Sequence, residues 1–260
     1  MSFAAASALQ PVEDATFAWE VPDGWQQGRG AWGGLVAAGV GRAVEATDTT
    51  RPLRTLSLHL SAPLGVGTAT VRVEPVRVGS ALSTWQATVA APGETAAGET
   101  AAHAVALTGS ARAHDLHDAA RGWGRAVAPD LPAWDTVTPI PHGLPGMPTF
   151  LQHVDLRVVH GHVVQGDDAH AAGYVSFAEP AAWDAAGLLA IVDAWWPTAF
   201  AGMGAVRPVA TVSYVAHLLV DPVTVEPGVP LAYEASLSAA HDGFTSETRR
   251  LWTLDGRLAV

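Results

Sequence analysis

The chain contains the same arrangement twice: an almost wholly apolar helix and a set of strands with alternating pattern. Apolar residues recur at helical spacing over residues 32–46, where Arg42 and Glu45 are the only charges. A second apolar helix is predicted over residues 183–201. A helix with so little polar surface must be surrounded by other structure, so both helices are expected to be buried.

Strands with period-two alternation make up most of the remaining pattern. They are predicted over residues 54–60, 69–74, 82–89 and 99–107, and again over 152–159, 172–177, 209–215, 230–238 and 247–251. The two units also match in detail, since residues 54–58 resemble 210–214 and residues 79–84 resemble 243–248. This repeat predicts an α+β fold in which each long helix is wrapped by a curved antiparallel sheet.

The repeat divides the chain into two domains and a linker. Residues 1–108 form the first predicted unit and residues 149–260 the second. Residues 109–148 are rich in proline and glycine and have little periodicity, so they are interpreted as a linker with at most a short helix near residues 113–120.

Composition excludes several classes of function. The formal net charge is −11, and all 14 basic residues are arginine, so no nucleic-acid partner is expected. The chain has no cysteine, which rules out disulfides, thiolate metal sites and cysteine nucleophiles. The N-terminus lacks the features of a secretory signal, and the most apolar run, residues 187–206, contains Asp193 and Pro197. No membrane span is therefore predicted, and a cytoplasmic protein is expected.

Two features of the helices can carry chemistry. Asp193 is a lone carboxylate in an apolar segment, where desolvation would raise its pKa toward that of a general base near neutral pH. The alternative is a helix-surface or capping aspartate. Gly33 and Gly34 open the first helix, whose free N–H groups could stabilise an oxyanion. The alternative is that these glycines only permit tight packing.

Other motifs have weaker support. Residues 28–33 match G-x-G-x-x-G with Asp48 further on, but no apolar strand precedes them. Asp155 and His160 have a spacing used by hydratases, yet they lie in a predicted strand. The histidine pairs, His114 with His117 and His160 with His162, lack a third metal ligand, and no G-x-S-x-G elbow is present. No metal and no cofactor are expected.

Tryptophan and arginine side chains are further candidates for substrate contact. The tryptophans Trp25, Trp32, Trp195 and Trp196 could line an acyl tunnel, but core packing is the favoured interpretation. Arg29, Arg54 and Arg207 are possible contacts for phosphates, although surface arginines are common.

An ordered set of segments resembles a known family. Residues 32–34, 55–60 and 77–84 in the first half, and residues 191–193, 210–213 and 251–260 in the second, are similar to the type II acyl-CoA thioesterase-like family. The resemblance extends over residues 15–260. It implies the double hotdog fold and the hydrolysis of acyl-CoA thioesters by a directly activated water.

The resemblance also implies roles for individual residues. Asp193 on the second helix matches the catalytic aspartate, and Thr211 on the next strand matches its hydroxyl partner, with Ser213 expected on the same side. Trp32, Gly33 and Gly34 would form the oxyanion and substrate-binding region. The family's third group, a glutamine on the last strand, would follow Val260, and residues 258–260 are expected to begin a strand that continues.

The resemblance further implies an acyl-CoA substrate and a homodimer or larger assembly. Two other functions stay open. The chain could be a non-catalytic acyl-CoA-binding protein with the same fold, or a hydratase that uses His160.

Overall fold

The computed structural model describes residues 1–91, 100–112, 126–165 and 168–260, which form two main antiparallel sheets around a pair of buried helices. The helices are α1 (Phe3–Ala6), α2 (Gly33–Thr47), α3 (Ala185–Ile191) and α4 (Ala199–Gly202), with 3-10 turns at Trp134–Thr136, Thr149–His153 and Pro222–Thr224. The strands are β1 (Gln10–Glu13), β2 (Thr16–Val21), β3 (Gln26–Gln27), β4 (Gly30–Ala31), β5 (Leu53–Leu60), β6 (Gly67–Val78), β7 (Leu82–Ala90), β8 (Thr100–Gly109), β9 (Val154–His160), β10 (His170–Phe177), β11 (Ser213–His217), β12 (Leu231–His241) and β13 (Phe244–Trp252).

The first predicted helix is confirmed as α2. Trp32 has extended backbone angles and precedes the first helical residue, and the helix ends where Asp48 donates its N–H to the Val44 carbonyl over 2.8 Å. Nearly every side chain of α2 is buried, because β5, β6, β7 and β8 pack along it. An all-apolar helix is stable in water only when it is enclosed in this way.

The first sheet contains strands from both halves of the chain. Its order is β1-β2-β6-β7-β8-β5-β11, and the four strands predicted after the first helix correspond to β5 to β8. Strand β11 adds to β5 in antiparallel register, from Ser213 opposite His59 to His217 opposite Thr55. The second sheet has the order β13-β12-β10-β9. Each half has a helix followed by antiparallel strands, as the repeat predicts, but the successions differ. Strands β5 to β8 follow α2 within one sheet, whereas β11 to β13 follow α3 and β11 joins the sheet of the first half.

The second predicted helix is wrong in its extent. Helix α3 begins after Asp184, whose side chain accepts a hydrogen bond from the Gly187 N–H, and ends at Ile191. Residues 192–198 form an irregular turn before α4. Pro197 lacks an N–H and disfavours the helical conformation at the residue before it, so no helix continues through this position. Asp193 consequently lies in the turn directly after α3 rather than on the helix.

The strand predicted over residues 209–215 is also displaced. Pairing begins only at Ser213, so Thr211 lies in extended chain before β11. The Val212 carbonyl still accepts a hydrogen bond of 2.9 Å from the Leu60 N–H, which holds this approach segment beside β5.

Helices α2 and α3 pack directly on each other through glycines. A Cβ atom at Gly34 would lie 2.5 Å from the Ala190 carbonyl oxygen, and one at Gly41 would lie 2.8 Å from Leu189 Cδ1. Contacts this short leave no room for a side chain at Gly34. The absence of a Cβ therefore brings the N-terminus of α2 against the end of α3, where Asp193 follows.

The described part of the predicted linker covers the outer face of the second sheet. Trp134, together with neighbouring apolar side chains, packs on Tyr174 and Trp252, and the Tyr174 hydroxyl donates to the Pro132 carbonyl over 2.7 Å. The short helix predicted near residues 113–120 lies outside the described residues. The domain bounds 1–108, 109–148 and 149–260 stay predictions. Every helix in the described ranges is too short or too polar to cross a bilayer.

Candidate active site

Asp193 lies at the junction of the two halves of the fold. It follows α3, and its carboxylate faces the beginning of α2, where a Cβ at Gly33 would come within 2.8 Å of Asp193 Oδ2. Its own carbonyl accepts a hydrogen bond of 3.2 Å from Trp32 Nε1. The residue is only 8% exposed. The alternative of a solvent-facing aspartate is therefore wrong.

The two carboxylate oxygens of Asp193 differ in their partners. Oδ1 accepts a hydrogen bond of 3.2 Å from the Thr211 hydroxyl. Oδ2 is buried and has no hydrogen-bond partner among the described residues. A buried polar atom normally has a partner, so a lone acceptor next to Gly33 is a place for a donor from outside the chain, such as a water molecule.

The environment of Asp193 changes its acidity. Burial raises the pKa of Asp193 to about 6, although Arg249, the Thr211 hydroxyl and the N–H of Gly34 favour the charged form. A carboxyl group with this pKa is ionised at neutral pH and still basic enough to accept a proton from water. The side chain has the acidity that suits a general base.

Two charged residues of β13 complete the surroundings of Asp193. Arg249 Nη1 lies 3.6 Å from Asp193 Oδ1 and donates to the Val192 carbonyl over 3.0 Å. Glu247 pairs with Arg249 and accepts hydrogen bonds from the backbone and hydroxyl of Thr198. Burial opposes the charge on Glu247, but Arg249 and Thr198 hold its pKa below the usual value.

Two tyrosines on neighbouring strands, the half-buried Tyr214 and the buried Tyr233, also lie near Asp193. The Tyr214 hydroxyl donates to the Leu189 carbonyl over 3.1 Å, and burial raises the pKa of this phenol. Tyr233 stacks on Trp195 with ring centroids 4.4 Å apart, and burial raises its pKa as well. Both phenols are therefore neutral at physiological pH.

The structure brings together most of the residues singled out from the sequence. Trp32, Gly33 and Gly34 at the start of α2 all lie beside Asp193, and Thr211 contacts it. Gly34 also serves the close packing of α2 on α3, so the packing interpretation holds for it as well.

Ser213 is not brought to this cluster. It is the first residue of β11, lies opposite His59, and has an exposed side chain. Thr211 precedes the strand, so the alternation that would have placed the two hydroxyls on one side does not extend to it.

The tryptophans of the tunnel hypothesis are mainly core residues. Trp25, Trp32 and Trp195 are almost fully buried, and Trp32 stacks on Phe150 with centroids 4.6 Å apart. Trp196 is half-buried and donates to the Gly161 carbonyl.

The weaker motifs are separated in space. The glycine motif forms the β3–β4 hairpin and the start of α2, whereas Asp48 lies at the opposite end of that helix and binds Arg51 and Thr108. A rise of 1.5 Å per residue puts roughly 22 Å between these ends of α2. The glycine motif and Asp48 are therefore too far apart to bind the same dinucleotide.

The hydratase pair is separated as well. Asp155 pairs with His142 over 3.0 Å, whereas the His160 ring lies 6.4 Å from that of His170. Within the described ranges no three potential metal ligands cluster, and His114 and His117 lie outside those ranges.

The arginines proposed as phosphate contacts differ in their environment. Arg54 Nε donates to the Gly109 carbonyl over 2.9 Å, so it is engaged within the sheet. Arg29 and Arg207 are exposed. Their part in binding phosphates stays a prediction.

Sequence reasoning missed Glu247 and Arg249. The strand was predicted, and its alternation puts both residues on the same face as Leu251, which is fully buried. Two opposite charges at inward positions of a strand are the signal that could have identified them, because charges are buried only when paired.

Comparisons with known proteins agree with this architecture. A conserved protein of unknown function with hot dog fold from Alicyclobacillus acidocaldarius is 23% identical, with TM-score 0.86 and coverage of 99% of this chain and 94% of that one. A proposed thioesterase II from Thermobifida fusca is 22% identical, with TM-score 0.82 over 100% and 96% of the two chains. An acyl-CoA thioesterase II from Mycobacterium marinum is 15% identical, with TM-score 0.76 over 99% and 94%. The predicted double hotdog fold is thereby confirmed.

Comparison with curated proteins finds no match. The two halves of the chain, however, match family models in the predicted order. The acyl-CoA thioesterase N-terminal domain matches residues 21–109, and the acyl-CoA thioesterase C-terminal domain matches residues 125–260. These matches span most of the chain, and the protein belongs to the acyl-CoA thioesterase family.

Proposed function

We propose that the protein hydrolyses acyl-CoA thioesters to a free carboxylic acid and CoA, with Asp193 as the general base. The observation that carries this proposal is the buried Oδ2 of Asp193, which lies beside the N-terminus of α2 and has no hydrogen-bond partner in the described part of the chain. A water molecule donating to this oxygen would be oriented by a group whose pKa, about 6, suits proton abstraction near neutral pH.

The reaction needs no cofactor in this scheme. Asp193 accepts a proton from water as the water oxygen attacks the thioester carbonyl carbon, giving a tetrahedral intermediate with a negative oxygen. The intermediate collapses with cleavage of the carbon–sulfur bond. The CoA thiolate leaves and takes up the proton that Asp193 had accepted from water, which restores the carboxylate. The Thr211 hydroxyl fixes the carboxylate through Oδ1, leaving Oδ2 for water.

The N-terminus of α2 is the proposed oxyanion site. The first N–H groups of a helix have no intrahelical acceptor, and Trp32 at the cap position offers no side-chain hydrogen bond to them. The positive end of the helix dipole favours negative charge at this place. The N–H groups of Gly33 and Gly34 at this helix start are the proposed donors to the oxyanion.

Free CoA release from a panel of short to long acyl-CoA thioesters tests the proposal. We expect the protein to hydrolyse at least one chain length. Binding of acyl-CoA without release of CoA would contradict the proposal and support a non-catalytic acyl-CoA-binding protein. The predicted homodimer or larger assembly stays a prediction.

Replacing Thr211 by valine is expected to lower kcat about 10-fold, since one hydrogen bond of about 1.4 kcal/mol to the carboxylate is lost. Thr211→Ser keeps the hydroxyl and should retain most of the activity. Thr248→Val, on the exposed face of β13, is the matched control. Equal rates for Thr211→Val and this control would remove Thr211 from the site.

The pH profile of kcat/KM is expected to fall on the acid side near pH 6. The base works only as the carboxylate, and burial raises its pKa to about 6, so protonation below that pH abolishes its function. The profile is measured at constant ionic strength with one acyl-CoA. An acid limb near pH 4, the ordinary carboxyl value, would contradict the assignment.

A further inference from the structure

A buried ion pair on β13 lies beside the turn that carries Asp193. Successive side chains of a strand face opposite sides, so Glu247 and Arg249 share the inner face of β13. Glu247 Oε1 accepts a hydrogen bond of 2.6 Å from Arg249 Nε. The side chain of Arg249 is 16% exposed and that of Glu247 is 13% exposed, so both charges are largely removed from water. Such burial is unfavourable unless each charge has close partners.

The pair contacts the turn at both of its ends. Arg249 Nη1 donates a hydrogen bond of 3.0 Å to the Val192 carbonyl, one residue before Asp193. Glu247 Oε2 accepts hydrogen bonds of 2.8 and 2.6 Å from the backbone N–H and hydroxyl of Thr198. Residues 192–198 are thus fastened to β13 at their first and last positions.

Holding residues 192–198 against β13 does not by itself require charged side chains, because buried ion pairs can often be replaced by apolar residues without loss of stability. The charges here face a third one, since Arg249 Nη1 lies 3.6 Å from Asp193 Oδ1. Resting on the thioesterase activity proposed above, we infer that Arg249 and Glu247 are positioning residues. They hold Asp193 against Thr211 and α2, and they balance the charge of its carboxylate.

The other titratable groups around Asp193 do not contribute to this balance of charge near neutral pH. Tyr214 on β11 and Tyr233 on β12 face the same cluster, and burial raises the pKa of each phenol, so neither changes charge near neutral pH. From α2 the carboxylate meets backbone N–H groups at the helix start. Arg249 favours the carboxylate electrostatically, whereas Glu247 disfavours it.

Removing the charge of Arg249 and removing the charge of Glu247 should therefore move the acid limb of the kcat/KM profile in opposite directions. Arg249→Gln is expected to move it to higher pH, because the carboxylate loses a positive neighbour. Glu247→Gln is expected to move it to lower pH, because Arg249 is then shared with no other carboxylate. Each variant should also lower kcat about 10-fold or more, since the turn is held less firmly.

The matched control is an ion pair between β13 and its neighbour β12. Arg250 Nη1 lies 3.4 Å from Glu234 Oε2 on the opposite face of β13. Arg250→Gln and Glu234→Gln should leave both the acid limb and kcat unchanged. The double variant Arg249→Gln/Glu247→Gln leaves no buried charge of the pair unmatched, so it tests the inference if the single variants fail to fold. The acid limb of that variant should move little, because the two single shifts oppose each other, so kcat is the readout there. Native kcat in the double variant would overturn the inference.

A readout independent of activity separates this inference from the proposed function. Carboxyl carbon NMR of the full chain labelled at aspartate gives the titration of Asp193, identified by the signal lost in Asp193→Asn. Opposite shifts of that titration in the two single variants support the pair, even if no thioester is hydrolysed and the proposed function fails. Hydrolysis with an acid limb and a titration that stay at the native pH in both variants would overturn the pair and leave the function standing.

Discussion

Replacing Asp193 by asparagine is expected to lower kcat for acyl-CoA hydrolysis at least about 100-fold, the scale of a lost general base. Asparagine has nearly the same shape and can still accept from Thr211, but it cannot take a proton from water. KM should change little, because the carboxylate acts on the water rather than on the substrate. The measurement is steady-state release of CoA at pH 8 with the best substrate of the panel.

The fold should survive this substitution. Because burial raises the pKa of Asp193 above the unfolded value, ionisation of this carboxyl weakens the folded state as pH rises from about 4 to about 6. Above that range the neutral amide avoids this cost. We therefore expect the Tm of Asp193→Asn at pH 8 to equal or exceed that of the native protein. A lower Tm would indicate that the lost activity reflects a damaged fold.

Asp155→Asn is the matched control for the position of the charge. Asp155 is a half-buried carboxylate on β9, and it pairs with His142 rather than with the residues around Asp193. It is also the aspartate of the hydratase hypothesis. Full activity of Asp155→Asn beside a deficient Asp193→Asn would support the assignment. Equal activity of both variants would leave the reaction class standing and show that the base is elsewhere.

The elements of the fold could be predicted because the pattern was local and repeated. The apolar spacing of residues 32–46 and the alternation that followed it fixed α2 and the strands β5 to β8. The second helix was harder, since residues 183–201 are apolar almost throughout. Composition alone did not show that Pro197 and the turn before it would leave only seven residues in α3.

The site was predictable only in part, because it depends on contacts between distant segments. Asp193 was identified by the rarity of a charge among apolar residues, and Trp32, Gly33 and Gly34 by their place at a helix start. The pairing of Glu247 with Arg249 is a feature of one strand face, but their contact with Asp193 joins β13 to the turn after α3. Ser213 was misplaced because the strand begins two residues after Thr211.

Replacing Gly34 by alanine is expected to lower the free energy of unfolding by about 3 kcal/mol, the upper part of the usual cost of overpacking. The new Cβ would overlap Trp32 Cζ2 and would lie 2.5 Å from the Ala190 carbonyl oxygen. Neither neighbour can move away easily, since the Trp32 side chain is fully buried and the Ala190 carbonyl is part of the backbone of α3. The gain in helix propensity from glycine to alanine, about 1 kcal/mol, is too small to compensate. Urea unfolding followed by circular dichroism measures the difference.

Gly41→Ala gives the control because it makes the same change on the same helix against a softer neighbour. Its Cβ would lie 2.8 Å from Leu189 Cδ1 and 3.6 Å from Leu53 Cδ2, which are both ends of flexible side chains. The propensity gain should therefore roughly cancel the closer contact and leave stability within about 1 kcal/mol of native. Because Gly34 also faces Asp193 from the start of α2, its alanine variant should lose hydrolysis even where it remains folded, whereas Gly41→Ala should keep it. Equal stability and equal rate for Gly34→Ala and Gly41→Ala would show that α2 and α3 can move apart without cost. The α2 N-terminus would then not be held at the Asp193 carboxylate, as the proposed oxyanion site requires.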